Sequence, residues 1–139
     1  MPHIIQKEKN FDSNNKYLQF IALTIHGLNE KTELDIEAKD MTAFIILLLK
    51  EIQKNIEKTT QAWEKRDYWL KADQFKREWQ WCPDHINLLS KALEENDWLQ
   101  LKKSLSLLFV KSTKYKISKR ISNTSPWKGA YAQIKKELR

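Results

Sequence analysis

Residues 41–56 read MTAFIILLLKEIQKNI, and this stretch decides the fold. Its apolar side chains recur at spacings of three and four residues, which places them on one face of an α-helix. That row consists of Met41, Ile45, Leu48, Ile52 and Ile56. Further apolar residues make the first half of the stretch apolar nearly all round. We therefore expect this helix to lie at the centre of a helical bundle.

The helical pattern continues past residue 56, and no Gly or Pro interrupts it before Pro83. A second apolar row, at four-three-four-three spacing, consists of Tyr68, Ala72, Phe75, Trp79 and Cys82. The sequence therefore predicts a long central helix over about residues 40–81. Two helices with a break near Thr59 and Thr60 are the alternative, because β-branched residues weaken a helix without ending it.

A shorter helix is predicted before this segment. Residues 17–26 form an apolar stretch, and Gly27 follows where a left-handed residue commonly ends a helix. The alternation of apolar residues over 21–25 also fits a strand, and we favour the helix. Residues 1–12 are predicted to be a flexible arm.

Further helices are predicted after Pro83, because the residue before a proline avoids α-helical geometry and the proline itself fits a first helical turn. Two helices joined by a turn at residues 96–97 come first. A basic linker over residues 112–125 and a C-terminal amphipathic helix over residues 126–138 follow. The prediction is thus an all-α protein, a single-domain bundle of five or six helices.

The composition narrows the class of protein. The chain of 139 residues has two glycines, so hairpin-rich β folds and folds with phosphate-cradling glycine loops are disfavoured. Cys82 is the single cysteine, which fits a reducing compartment. The N-terminus lacks the apolar run of a signal peptide, and the longest apolar run, residues 43–49, is far shorter than the roughly 20 residues of a membrane span. We expect a soluble, cytoplasmic protein.

The charge of the chain is split between its two ends. Residues 101–139 hold eleven Lys or Arg residues and one acid, whereas the first hundred residues hold fourteen bases and seventeen acids. A field of one sign at one end of a small protein steers it toward an acidic partner. We expect a non-catalytic binding module that contacts nucleic acid; an acidic protein surface or an anionic membrane surface would attract the same charges. The residues predicted to make the contact are Lys111, Lys114, Lys116, Lys119, Arg120, Lys128, Lys135 and Lys136.

Residues 63–81 hold six aromatic side chains interleaved with five bases. Proteins that bind single-stranded nucleic acid use such a mixture, but four acids neutralise most of this charge and the spacing favours packing in a core. Trp69 lies outside both apolar rows, so it is a candidate aromatic anchor, and Trp127 is the other candidate. The alternative function is a structural or assembly protein that docks on a protein complex or an anionic membrane surface through this aromatic helix. A homo-oligomer formed through the long helix is a further expectation.

No motif of an enzyme is present in the chain. Cys82 and His85 have the spacing of two metal ligands, but a zinc site needs three or four. A cysteine in an apolar row is more often an inert core residue than a nucleophile. Phosphate-binding loops, zinc-protease motifs and serine-hydrolase motifs are missing from the sequence. We expect no enzymatic activity, no metal and no cofactor.

Residues 62–81 read AWEKRDYWLKADQFKREWQW, and Asn96, Asp97 and Trp98 follow downstream. These segments resemble a family of small uncharacterised all-helical proteins of cyanobacteria, over about residues 60–130. The resemblance implies an all-helical protein that is cytosolic or associated with thylakoids. It implies no functional residues.

Overall fold

The chain forms six helices in the part that the structure describes. A computed structural model describes the backbone of residues 2–112, 127 and 129–137, and the side chains of residues 14–112, 127 and 129–135. The helices are α1 (Pro2–Leu28), α2 (Ile36–Glu64), α3 (Trp69–Glu78), α4 (Trp81–Glu94), α5 (Trp98–Ser112) and α6 (Ala130–Glu137). These residues contain no strand, so the all-α prediction is confirmed for them and the strand alternative for residues 21–25 is wrong.

The apolar row of α2 lies in the core, as its spacing predicts. Its five residues from Met41 to Ile56 are buried. α2 packs against α1, α3, α4 and α6, and α5 packs against α1 and α4. Each fully buried aliphatic side chain stabilises the fold by about 1.5–3 kcal/mol. The largest buried side chains from the other helices are Leu18, Ile21, Ile25, Leu28, Leu89, Leu93, Leu101 and Leu105.

The segment 40–81, predicted as one long helix, contains two helices, α2 and α3, and ends at the first residue of α4. The break between α2 and α3 is not at Thr59 and Thr60. Those two residues lie inside α2, where their hydroxyls donate to the carbonyls of Asn55 and Glu57. α2 ends at Glu64 because Asp67 adopts a left-handed conformation, with φ of 65°.

The turn after α2 is a Schellman motif. The N–H of Tyr68 donates to the carbonyl of Trp63, and the N–H of Asp67 donates to that of Glu64. Glycine usually occupies the left-handed position, and here aspartate does. The sequence therefore offers no glycine to mark the end of α2.

The same turn ends α4, at the position predicted from the sequence. Asn96 has φ of 52°, and the N–H of Asp97 donates to the carbonyl of Ala92. The carboxylate of Asp97 then accepts from the N–H of Gln100 and caps α5. Pro83 lies in the first turn of α4, as expected. Cys82 before it is helical as well, because α4 begins at Trp81, and this part of the expectation is wrong.

The predictions for the N-terminal segment need two corrections. α1 begins at Pro2, so the backbone of residues 2–12 is helical rather than an arm. Most residues there are compatible with a helix, and the proline is at the first helical position. Gly27 is not a left-handed cap, because α1 continues to Leu28. A Cβ on Gly27 would lie 2.7 Å from Cε of Met41, so the glycine permits close approach of α1 and α2.

The C-terminal helix begins later than predicted. α6 starts at Ala130 instead of residue 126. Pro126, where this helix was predicted to begin, lies outside the described residues. The predicted basic linker also lies outside them, except for Ser112, which is the last residue of α5.

Candidate nucleic-acid interface

α6 joins the basic end of the chain to the start of α2. Ala130 and Ile134 of α6 are buried in the core. The carboxylate of Asp40 accepts hydrogen bonds from the backbone N–H groups of Gly129, at 3.2 Å, and Tyr131, at 3.0 Å. A carboxylate at this position satisfies N–H groups that have no partner inside the helix and opposes the positive end of the helix dipole. Asp40 itself lies inside α2, whose N-cap is Asp35.

Docking of α6 places two lysines beside one aromatic ring. The Nζ atom of Lys39 lies 5.5 Å from the centroid of the Tyr131 ring, and that of Lys135 lies 6.0 Å from it. Cations at this distance are attracted by the ring face. Lys135 was predicted as a binding residue from the basic C-terminal region. Lys39 was missed because it lies in the acidic first hundred residues, and only the fold brings it to Tyr131.

Four lysines of α5 and α6 have described side chains, and none of them forms an ion pair with a described residue: Lys102, Lys103, Lys111 and Lys135. The ion pairs of the described residues lie between Lys31 and Arg77, where Lys39, Lys58 and Lys71 take part in none of them either. Hydrogen bonds to Glu37 and Asp35 raise the pKa of Lys31, which is an example of such pairing. α5 contains no acid, so its lysines have no local carboxylate to bind.

The structure describes three of the eight predicted basic binding residues. Lys111 is half-buried at the end of α5, Lys135 is exposed, and Lys136 lies in α6. Lys102 and Lys103 of α5 are exposed as well, and Lys102 lies 5.2 Å from the centroid of the Trp98 ring. The other five predicted residues lie outside the described part of the chain: Lys114, Lys116, Lys119, Arg120 and Lys128.

Most rings of the predicted aromatic helix contact one another. The Trp63 and Phe75 rings are 5.1 Å apart, and those of Trp79 and Trp81 are stacked at 5.4 Å. These four rings are only partly exposed, so most of the aromatic content of this segment serves packing. Trp69 is different, since 60% of its surface is exposed.

The two candidate aromatic anchors therefore have different environments. Trp127 packs partly buried against the core next to α6. Trp69 begins α3 and projects to solvent, together with Tyr68 and Leu70, and Leu70 is 86% exposed. Trp69 is the more accessible of the two candidates.

Cys82 and His85 take part in helix packing. The thiol of Cys82 donates to the carbonyl oxygen of Leu49 at 3.2 Å, and burial raises the pKa of this thiol to about 12. Nδ1 of His85 lies 2.7 Å from the carbonyl oxygen of Trp81, which can only accept, so this nitrogen carries a proton. A thiol with this pKa is neutral at pH 7 and is a poor nucleophile. Among the described residues, no group of three or more His, Cys, Asp or Glu side chains could hold a metal ion.

A cleft of about 390 Å³ lies where α2 meets α3 and α4. Its wall includes the indole of Trp79, Gln53 and the carboxylates of Glu57 and Glu64. Nζ of Lys76 lies 2.6 Å from Oε1 of Glu64, so the only lysine of the wall already has a carboxylate partner. This cleft is unsuited to a phosphate group.

Comparisons with protein-family models, with curated proteins and with solved structures found no match to this chain. The resemblance to small helical cyanobacterial proteins thus stays a hypothesis. Along the described part of the chain, none of the helices has an apolar stretch that could cross a membrane.

Proposed function

We propose that this protein is a non-catalytic binding module whose basic C-terminal region contacts an acidic macromolecule, in the first place nucleic acid. The observation that carries the proposal is the excess of eleven bases over one acid in residues 101–139, together with the lack of ion pairs at Lys102, Lys103, Lys111 and Lys135 among the described residues. Unpaired ammonium groups are available to phosphates, and each phosphate that they neutralise releases counterions. The proposed contact residues are Lys111, Lys114, Lys116, Lys119, Arg120, Lys128, Lys135 and Lys136.

The Tyr131 ring and its two lysines support the same proposal in more detail. Tyr131 is half-buried against the core, so a base can contact the exposed part of its ring, beside cations that can bind the flanking phosphates. Proteins that bind single strands use aromatic rings beside cations. Lys39 and Lys135 are each about 6 Å or less from the ring centroid. We add Lys39 and Tyr131 to the proposed contact surface.

The proposal includes the architecture that presents this surface. We infer a single-domain helical bundle arranged around α2, with α6 as the last helix to dock. The packing of α2 against four other helices supports this arrangement. A cytoplasmic location is part of the proposal, since nucleic acid and a single buried thiol are both compatible with it.

The test is binding of labelled single- and double-stranded nucleic acid from low to physiological salt. We expect affinity to fall steeply with salt, and to fall by about 100-fold at low salt in the variant K116E/K119E/R120E. The matched control is K54E/K58E/K65E, which makes the same charge change at exposed lysines of the acidic part of the chain. Equal losses of nucleic-acid affinity in the two variants would contradict the proposal that the C-terminal bases form a specific binding surface.

A second variant tests the ring and its lysines. We expect K39E/K135E to lower the slope of log K against log salt by about 1 for each phosphate contact removed. Tyr131→Leu should weaken single-strand binding and leave duplex binding nearly unchanged, because the bases of a duplex are already stacked. An unchanged slope in K39E/K135E would remove this ring from the proposal.

A second candidate function has one specific observation in its favour. Tyr68, Trp69 and Leu70 are three consecutive exposed apolar side chains at the start of α3. Exposed aromatic residues are enriched where proteins contact partners, so an assembly protein that docks on a protein complex would use them. Trp69→Ala should then abolish capture of a protein partner with little dependence on salt. It should leave nucleic-acid binding intact.

A further inference from the structure

α5 is apolar on two opposite faces. Its inner face, with Leu101, Leu105 and Leu108, is fully buried against the core. A helix advances about 100° per residue, so Leu99, Lys103, Leu107 and Val110 lie together on the opposite face. We name these four residues the outer ridge. Leu99 is 67% exposed, Leu107 is 62% exposed and Val110 is 63% exposed.

This concentration of exposed aliphatic side chains is unusual for the solvent face of a helix. Scattered exposed leucines are ordinary on protein surfaces. Helices packed on one side normally carry polar residues on the other, and contiguous apolar surface marks a contact with a partner. Among the described residues, Leu99 and Leu107 of the outer ridge do not pack against the hydrophobic core.

The positive charge of the outer ridge favours a partner with negative charge. Lys103 lies within the ridge and is exposed, Lys102 is exposed beside it, and α5 contains no acid. The basic C-terminal region of this chain does not suit the ridge as a partner, because its positive charges would be repelled by these lysines. A partner with both acidic groups and apolar volume complements the ridge.

The shape of the outer ridge distinguishes between such partners. α5 packs against α1 and α4 on its inner side. Leu99, Leu107 and Val110 are each more than 60% exposed, so among the described residues the ridge forms an open surface instead of lining a groove. A protein partner would need a matching groove, whereas the boundary of headgroups and acyl chains in a bilayer deforms around a protruding helix. Lysine side chains beside the leucines can extend their ammonium groups to lipid phosphates.

We infer that the outer ridge of α5 binds the surface of an anionic lipid bilayer. Leu99 and Leu107 enter the boundary between headgroups and acyl chains, and Lys102 and Lys103 contact anionic headgroups. α5 then lies in the plane of the bilayer, with the ridge extending about 16 Å along it. The inference does not rest on nucleic-acid binding, because nucleic acid offers no apolar layer to the two leucines.

The experiment is co-sedimentation of the full chain with two kinds of vesicle. One kind is pure phosphatidylcholine, and the other contains about 30 mol% phosphatidylserine. We expect binding to the phosphatidylserine vesicles only, weakened about tenfold or more in L99S/L107S and lost in K102E/K103E. The control is Ile36→Ser, which removes an aliphatic side chain that is 81% exposed at the start of α2. It should leave vesicle binding unchanged.

The outcomes separate this inference from the proposed function. L99S/L107S should keep its nucleic-acid affinity and its far-ultraviolet circular dichroism, since both leucines are exposed. Vesicle binding without nucleic-acid binding would support the ridge and contradict the proposed function. The inference is overturned if the wild type fails to bind phosphatidylserine vesicles, or if L99S/L107S binds them as tightly as the wild type does. It is also overturned if the wild type binds soluble poly-L-glutamate but no vesicles.

Discussion

The thiol of Cys82 gives the protein a pH dependence in the alkaline range. Burial raises its pKa from an ordinary value of 9.0 to about 12. The folded protein thus holds this proton more tightly than the unfolded chain. The stability that the neutral thiol contributes is fully present below pH 9 and is lost as the pH rises from about 9 to about 12.

We expect Cys82→Ala to be less stable than the wild type at pH 7, by about 1 kcal/mol, because packing and the hydrogen bond to Leu49 are lost. Above pH 9 this difference in the free energy of unfolding should shrink by up to about 1.4 kcal/mol per pH unit. The reason is that ionisation of the thiol stabilises the unfolded wild type, whereas the variant has no thiol. Urea unfolding of both proteins at pH 7 and pH 10 measures this. If the difference in the free energy of unfolding does not change with pH, the thiol of Cys82 is not held neutral by burial.

Asp67 occupies a backbone conformation that suits glycine better. Its φ of 65° is left-handed, and a Cβ is disfavoured there. We expect Asp67→Gly to stabilise the protein by up to about 1 kcal/mol, measured as the urea midpoint. The control is Asp73→Gly at an exposed position inside α3, which should destabilise by about 1 kcal/mol. If both changes destabilise the protein, the side chain of Asp67 stabilises the turn by more than the left-handed conformation costs.

At the scale of single elements, the capping of α6 by Asp40 joins segments about 90 residues apart. We expect Asp40→Ala to destabilise the protein by about 1–2 kcal/mol and to raise amide hydrogen exchange throughout α6. The control is Asp35→Ala, because Asp35 caps α2 by accepting from the N–H of Ala38. It should affect the first turn of α2 and leave α6 protected. Unchanged exchange in α6 after Asp40→Ala would show that Ala130 and Ile134 hold the helix without the cap.

The elements that the sequence predicted well are those with local causes. The row from Met41 to Ile56 has a helical period, so both its helix and its buried face were predicted. The turn at Asn96 was also predicted, because an asparagine followed by an aspartate is typical of turns. The turn at Asp67 was missed, since aspartate in a left-handed conformation leaves no distinctive mark in a charged segment.

The errors of prediction share one physical cause. Gly27 looks like a helix cap within its own segment, but its role depends on Met41, which is 14 residues away. Lys39 looks like one charge in an acidic region, but its neighbour is Tyr131. The charge split was read directly from the sequence, whereas the ring with its two lysines and the outer ridge of α5 required the fold.

At the scale of the whole molecule, the concentration of positive charge implies competition between acidic partners. We expect saturating duplex nucleic acid to reduce binding of the wild type to phosphatidylserine vesicles, because bound phosphates cancel the field that attracts the vesicle. Co-sedimentation with and without duplex measures the effect, which should weaken at high salt. Additive binding of both partners would mean that the outer ridge and the basic C-terminal region act independently.

The contact between Asp40 and α6 also dictates an order of events during synthesis. A ribosome makes Asp40 about 90 residues before it makes Tyr131, and α2 can form long before α6 exists. The surface of α2 that α6 covers therefore stays uncovered on the nascent chain. Protein synthesis must pass residue 134 before the buried Ile134 can seal that surface, so a chain stalled earlier presents apolar surface to chaperones.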